Sequence, residues 1–525
     1  MDTPLLSFRI LAIGPFGSKA ASDLAKPIHW FTNESLDEIL DQLQVSVAVS
    51  VPRSLCEDGS VELRFRSFRD FRPERILTTS PFLKNILDAR EYVKRAVADG
   101  VARERIVTKL NQWPGLPELD LSVTPKKPAQ KKAPASSAVE ELLKMVAIPD
   151  EKKKGGGEQK ELLDSIDGLL GEVLGILFAS PELRELEAAW SGVKILHESA
   201  RNVDHAQLGF VDLAERPLEE ILDGLLSSLP LDLPTLIILD RGFDYSPRSF
   251  QLLEGVAQLC ENLLVPAVVE ISPEFLQLKR WEDLDKRPYI PHYLEDQAYA
   301  KWQGLRKKSS SQWVCAICNG ILARYPYGSE NPSGTVPFAE DDPLWVSPVW
   351  VIAALATKSM KQWGWPSRIA DWKNCRLEDL PVRQVSPKAA FPTETAFSED
   401  RILQFAKAGI VSVGSTVNRD VAFIPFDTTI GGTTLGYQLL LAMSAQFLMW
   451  CKDHFAEDLE PSEIEQGIRD ILILLWEKRG YDMKDRIQVT VARSEKDGPA
   501  RVALVMEPPS QVLSKADRIS LEILW

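Results

Sequence analysis

Two apolar runs bracket one amphipathic stretch near the middle of the chain, and few folds accept that order. Thr235-Leu-Ile-Ile-Leu239 is apolar after its first residue, and Val265–Ile271 is a second run of strand length. Such a run has no polar face to offer water, so each predicts a strand covered on both sides. Between them, Ser246–Leu263 has helical spacing and a Ser-Pro start; proline is well tolerated in a helix's first turn. Strand, helix, strand in this order predicts a parallel pair joined by a right-handed crossover, and hence an α/β core.

The chain around this unit divides at two breaks. Val123-Thr-Pro-Lys-Lys-Pro-Ala-Gln-Lys-Lys-Ala-Pro-Ala-Ser-Ser137 is proline, lysine and small residues, and Glu151-Lys-Lys-Lys-Gly-Gly-Gly157 is the second. Neither stretch can bury enough apolar surface to offset chain entropy, so both predict solvated linker. The expected organisation is a small α/β unit over residues 1–112, a linker over 113–160, and a larger α/β region over 161–525 with lobes 161–385 and 386–525. Within the linker, Val139, Leu142, Leu143 and Val146 recur at helical spacing over 138–148. That helix either docks on its own chain or serves as a detachable peptide for a partner's groove.

In the small unit, Phe8–Ile13, Val45–Val51 and Val61–Phe65 predict strands, and Leu36–Leu43 and Pro81–Val97 predict helices. In the larger region, helices are expected at Glu161–Phe178, from Pro181 onward, at Asp342–Trp363, Thr434–Phe455 and Ser462–Lys478. Strands are expected at Gly409–Gly414 and Val421–Ile424. The end is β-rich: Arg486–Arg493, Ala500–Met506 and Arg518–Leu524 alternate.

Composition narrows the function classes. With 61 Lys+Arg against 75 Asp+Glu the net charge is -14, which repels a phosphate backbone and argues against general nucleic-acid binding. No apolar run reaches the length of a membrane helix, and Met1-Asp2-Thr3-Pro4 has no basic flank, so neither membrane insertion nor a secretory signal is expected. Six scattered cysteines do not make a disulfide framework. The expected location is cytoplasmic.

No catalytic, metal or cofactor-binding residue is nominated. Cys315-Ala-Ile-Cys318 has half-zinc-site spacing without a second pair. On the strand it predicts, residues three apart face opposite ways. His29, His197, His205, His292 and His454 stand alone. Gly14-Pro-Phe-Gly-Ser-Lys19 lacks phosphate-loop spacing and predicts a turn after a strand. Glu340-Asp-Asp342 fits a cation site, and a solvated helix start explains it as well.

Ordered fragments then point to a family. Leu36-Asp-Glu-Ile-Leu, Val61-Glu-Leu-Arg-Phe-Arg-Ser-Phe-Arg-Asp-Phe-Arg-Pro73 and Ile86-Leu-Asp-Ala-Arg90 resemble the small subunit of the type VI secretion contractile sheath. From about Leu162 onward the chain is similar to the large sheath subunit. The carriers are Leu186-Glu-Ala-Ala-Trp190-Ser-Gly-Val, Phe243-Asp-Tyr-Ser-Pro247, Ala300-Lys-Trp302, Arg324-Tyr-Pro-Tyr-Gly328, Leu380-Pro381, Phe391-Pro-Thr-Glu394 with Asp400-Arg401, and Ala408-Gly-Ile410.

The resemblance implies a structural protomer, not an enzyme, that polymerises helically around an inner tube protein and contracts to drive it. It also implies baseplate partners and an AAA+ recycling unfoldase, with Val139, Leu142, Leu143 and Val146 as the unfoldase-binding helix. Family protomers exchange terminal strands. Candidates here are Phe8, Ile10 and Ile13 at one end and Ile519, Leu521 and Ile523 at the other. Family members carry a further strand ahead of Phe8–Ile13, for which a chain beginning at Met1 has no room. This keeps open a non-polymerising sheath-like adaptor or baseplate component. An α/β enzyme with an unrecognised site is the third alternative.

Overall fold

The computed structural model of the chain describes residues 6–23, 27–116, 154–201, 203, 206–213, 216–229, 232–456, 459–493, 500–513 and 517–525. Residues 1–45, 185–325 and 343–525 form one compact unit, and residues 46–184 and 326–342 form a second.

A six-stranded, all-parallel sheet organises the first unit. Its strands are β1 (Phe8–Gly14), β2 (Ala206–Asp212), β3 (Leu236–Phe243), β4 (Ala267–Ile271), β5 (Val314–Cys318) and β6 (Ile410–Ser412), in the spatial order β6-β5-β4-β3-β1-β2. The βαβ unit expected from the two apolar runs is β3, the helix Pro247–Leu263 and β4, with Ile237 opposite Ala267 and Leu239 opposite Val269. The helix begins where its sequence dictates. Ser246 Oγ accepts the Ser249 N–H at 3.2 Å, and Pro247 sits where no backbone donor is needed. Leu253, Val256, Cys260 and Leu263 of this helix share a core with Leu239, Val269 and Val314 of the sheet.

β1 lies inside this sheet, not in a separate N-terminal unit. It pairs with β2 from Phe8 opposite Ala206 to Gly14 opposite Asp212, and with β3 from Ile10 opposite Leu236 to Ile13 opposite Leu239. Phe8, Leu11 and Ala12 are fully buried, a burial that requires cover on both faces. Residues 1–45 therefore group with the sheet, and residues 46–112 belong to the second compact unit. Likewise β6 pairs with β5 across the expected 385/386 boundary.

The single helix expected over Asp342–Trp363 is a short strand, Leu344–Val346, followed by a helix over Val349–Trp363. Pro343 and Pro348 explain this. Proline disfavours helical backbone in the residue before it, so helix begins only after Pro348. The Glu340–Asp342 cluster thus does not open a helix; Glu340 instead accepts the Tyr327 N–H at 2.8 Å.

The first unit ends in an antiparallel sheet of β7 (Ile487–Arg493), β8 (Ala500–Met506) and β9 (Ile519–Leu524), with β8 in the middle. Val502, Leu504 and Ile519 pack with Leu448, Ile468 and Trp476 of the helices Leu435–His454 and Pro461–Lys478.

The second unit opens with a hairpin, Ser46–Ser50 against Ser60–Arg64. The family-like segment that follows is a packed turn. Phe65 and Phe71 stack with ring centroids 4.2 Å apart, and the Asp70 carboxylate accepts the Ser67 N–H at 2.9 Å. Pro73 and Pro81 then start two helices, Pro73–Thr79 and Pro81–Ala98. Arg90 makes a two-pronged pair with Asp167 of the helix Lys154–Ala179, at 2.5 and 3.3 Å. The linker helix expected over 138–148 lies outside the described residues.

Candidate functional site

The candidate strand-exchange residues have different fates. Phe8, Ile10 and Ile13 sit on β1, whose two edges are both paired within the chain; an interior strand has no edge to lend. Ile519, Leu521 and Ile523 sit on β9, an edge strand of its sheet among the described residues. Their side chains face their own core, with Ile519 fully buried and Leu521 and Ile523 packed against it. What β9 offers a neighbour is therefore its outer backbone edge. Val139, Leu142, Leu143 and Val146 lie outside the described residues.

Several family-like fragments meet inside the first unit. Glu187 of Leu186-Glu-Ala-Ala-Trp190 pairs with Arg324 of Arg324-Tyr-Pro-Tyr-Gly328. Arg324 donates from Nε to Oε1 at 2.5 Å and from Nη2 to Oε2 at 2.9 Å. Trp190 is fully buried, donates its indole N–H to the Phe16 carbonyl at 3.1 Å, and stacks near Phe210. In Phe243-Asp-Tyr-Ser-Pro247, burial pushes the Asp244 carboxyl up, but hydrogen bonds from Ser246 and Ser249 outweigh it and hold the pKa below the usual value. That arrangement fixes the start of the Pro247–Leu263 helix.

A crevice of about 560 Å³ opens at the carboxyl ends of the parallel strands. Pro15 follows β1, Leu213 follows β2, Asp240 and Glu270 lie near the ends of β3 and β4, and Ser347 and Glu394 complete the wall. β2 and β3 flank β1 on opposite sides, so the crevice sits at a topological switch point, where open parallel sheets place their ligand sites.

Three carboxyls there titrate abnormally. Burial pushes Asp240 up to about 6, against the hydrogen bond from Trp350 and the Ser347 hydroxyl beside it. The Trp350 indole N–H donates to Asp240 Oδ2 at 2.6 Å. Burial, helped by the charges of Asp240 and Glu394, pushes Glu270 up to about 8. Burial pushes Glu394 up to about 7, although it accepts the Gly320 N–H at 2.8 Å.

Asn319 positions the last of these. Its buried amide donates to the Val413 carbonyl at 2.7 Å and to the Thr395 carbonyl at 2.9 Å, and its carbonyl accepts the Thr395 N–H at 3.0 Å. Gly320 is required beside it, because a Cβ there would lie 2.8 Å from the Val346 carbonyl oxygen and 3.0 Å from Glu394 Oε1. Gly320→Ala is expected to destabilise the chain by about 1–3 kcal/mol in chemical denaturation, since the first of these neighbours is backbone. A loss under about 0.5 kcal/mol would mean that the wall yields.

Two of these fragments reach the crevice, Leu186–Trp190 through Ala188 and Phe391–Glu394 through Glu394. Asp240, Glu270 and Ser347 were not singled out from the sequence. The available signal was an acid inside an apolar strand run, as in Ala267-Val-Val-Glu-Ile271. The Cys315/Cys318 pair behaves as read. Both thiols are fully buried and raised by burial, and Cys318 faces the core with Val314 and Ala316 on alternate positions of β5. His197 contacts the Glu34 carbonyl at 3.0 Å. Among the described residues no three His, Cys, Asp or Glu side chains converge as a metal ion would need, and no helix is long and apolar enough to cross a membrane.

Residues 234–429, which carry most of the parallel sheet, match the family model for the VipB (EvpB) tail sheath N-terminal domain. The match places this region among contractile tail-sheath proteins. Residues 6–112 match the family model for the type VI secretion system protein VipA. The chain thus joins regions of the two type VI secretion sheath subunit families in one polypeptide. A curated relative, the type VI secretion system sheath protein TssC1 of Pseudomonas aeruginosa, is 21% identical over 295 residues, 50% of this chain and 59% of the relative. Solved structures with a partial likeness include the helical sheath of the anti-feeding prophage in its contracted state, at 10% identity and a TM-score of 0.35, covering 63% of this chain and 77% of that one. Another is the sheath tail protein Lin1278 from Listeria innocua, at 9% identity and a TM-score of 0.31, covering 58% and 59%.

Proposed function

We propose that this chain is the structural protomer of a contractile, type VI secretion-like sheath, in which the two subunit types are covalently joined. The observation that carries the reading is the presence of both sheath-subunit regions, over 6–112 and 234–429, in one chain. Fusion replaces bimolecular docking of the two parts with a high effective concentration. Copies of the protomer stack head to tail into an open helix, as a heterologous interface that does not close must do. The edge of β9 is the proposed point of strand pairing between copies, because backbone hydrogen bonds survive rotation of the bodies they link. The tube encloses an inner tube protein, meets baseplate components at one end, works in the cytoplasm and acts by assembly, not by catalysis. An AAA+ unfoldase acting on the helix over 138–148 completes the proposed cycle.

Electron microscopy of the purified full chain tests this. Hollow tubes or rings are the expected result; a strictly monomeric particle at high concentration overturns it. A second reading, a sheath-like adaptor that does not polymerise, is favoured by the interior position of β1, which removes one candidate exchange strand. One or a few copies per assembly, in place of hundreds, would select it.

A further inference from the structure

The crevice at the carboxyl ends of β1, β3 and β4 has no part in pairing through a sheet edge, yet it is built like a ligand site. We propose that it binds an organic cation bearing a primary ammonium or guanidinium group, held between Asp240, Glu270 and Glu394 with Ser347 Oγ as a further acceptor.

Four observations converge. The crevice lies at the topological switch point, and its volume of about 560 Å³ suits a small molecule or one long side chain. Asp240 and Glu270 have no ion pair among the described residues; their neighbours there are the neutral Trp350 N–H and Ser347. Ser347 is only 9% exposed, and its hydroxyl, although it lies beside both carboxyls, makes no hydrogen bond of ordinary geometry. A buried hydroxyl left in this state is costly unless a ligand completes it. Finally, the acids do not converge on one point as a metal ion would require. That leaves an extended cation with several N–H donors, which can reach acceptors on separate walls.

The surrounding charges set the selectivity and the pH response. Glu185 from the helix Pro181–Ala200 and Glu274 beyond β4 add negative potential. Arg216 and Arg241 stand exposed at the mouth. The charges of Arg383 and Glu282 also act on Glu394, in opposite directions. A monovalent cation inserted head first therefore fits better than a compact polycation, which the mouth arginines would repel. Burial leaves the three acids partly protonated at neutral pH, so cation binding must expel protons.

The test is calorimetric titration of the full, unassembled chain at about pH 8. The probe is n-butylguanidinium, a monovalent guanidinium cation, at ionic strength matched with sodium chloride. The expected result is saturable binding with a dissociation constant below about 1 mM. Affinity should fall on the order of tenfold per pH unit toward pH 6 for each acid that must ionise. The heat should vary with buffer ionisation enthalpy. Glu270→Gln and Asp240→Asn should each weaken binding by about tenfold or more, with circular dichroism confirming that both variants are folded. Non-saturable heats, or equal affinity in wild type and both folded variants, would overturn the proposal. If both variants unfold, Ser347→Ala takes their place and must weaken binding for the proposal to stand. Repeating the titration on assembled material identifies the source: binding retained there means a free small cation, and binding lost there means a neighbouring chain's Lys or Arg side chain. The titrations on the unassembled chain do not depend on whether the chain forms tubes.

Discussion

Arg324→Ala is expected to cost the first unit about 3–5 kcal/mol, read as a lower urea midpoint with an unchanged slope. The magnitude follows from what the substitution leaves behind. Glu187 is a buried carboxylate, its side chain 5% exposed, and Arg324 is 19% exposed. Two parallel hydrogen bonds hold the pair, at 2.5 and 2.9 Å. Removing the guanidinium takes two hydrogen bonds from a carboxylate that has already lost most of its water. The residual acid must then protonate, draw in water or distort the Pro181–Ala200 helix.

The pair itself is not the source of much net stability, because desolvating two ions offsets most of their attraction. Arg324→Met combined with Glu187→Met should therefore recover most of the loss. If Arg324→Ala costs less than about 1 kcal/mol, the pair is solvated in a way its burial does not suggest. Its structural effect is to tie the Leu186–Trp190 fragment to the strand that carries Arg324, which is why two short and individually weak sequence fragments belong to one feature.

That example shows where the sequence was legible. Local physics is written locally. The β3–helix–β4 unit follows from two apolar runs and a Ser-Pro start, and the helix Pro81–Ala98 lies where it was expected, whereas the helix Pro73–Thr79 was not read. The alternating C-terminal strands begin and end within a residue or so of their expected bounds. What could not be read was long-range pairing. β1 finds its parallel partners near residues 206 and 236, and nothing in Phe8–Ile13 encodes which strands those are. β2 was missed because Ala206-Gln-Leu-Gly-Phe-Val-Asp212 shows neither an apolar run nor clean alternation. Its Gly209 instead gives way to a close neighbour, where a Cβ would lie 2.7 Å from Ile28. The crevice was illegible for the same reason. Its acids come from positions 240, 270 and 394, each separately explicable as a strand end or a turn.

Those acids also carry a prediction about pH: between about pH 5 and 9 the fold should lose stability as pH rises, and Glu270→Gln should remove much of that loss. The sign follows from the direction of the shifts. Burial raises Asp240 from 3.8 to about 6, Glu394 from 4.5 to about 7 and Glu270 from 4.5 to about 8. In each window the folded chain holds a proton that the unfolded chain has released. Folding is therefore unpenalised below the unfolded pKa, and the penalty grows until the folded pKa is passed. This is the reverse of an ion-paired carboxylate, which stabilises at high pH and fails in acid. Glu270 has the widest window and no ion pair, so its neutral analogue should show the largest effect. Glu270→Gln is expected to gain about 2–3 kcal/mol at about pH 9 and to change little at about pH 5, measured by urea denaturation without organic cations. Equal destabilisation at both pH values would mean that the carboxylate is fully satisfied inside the fold, and that the crevice is a packed structural cluster.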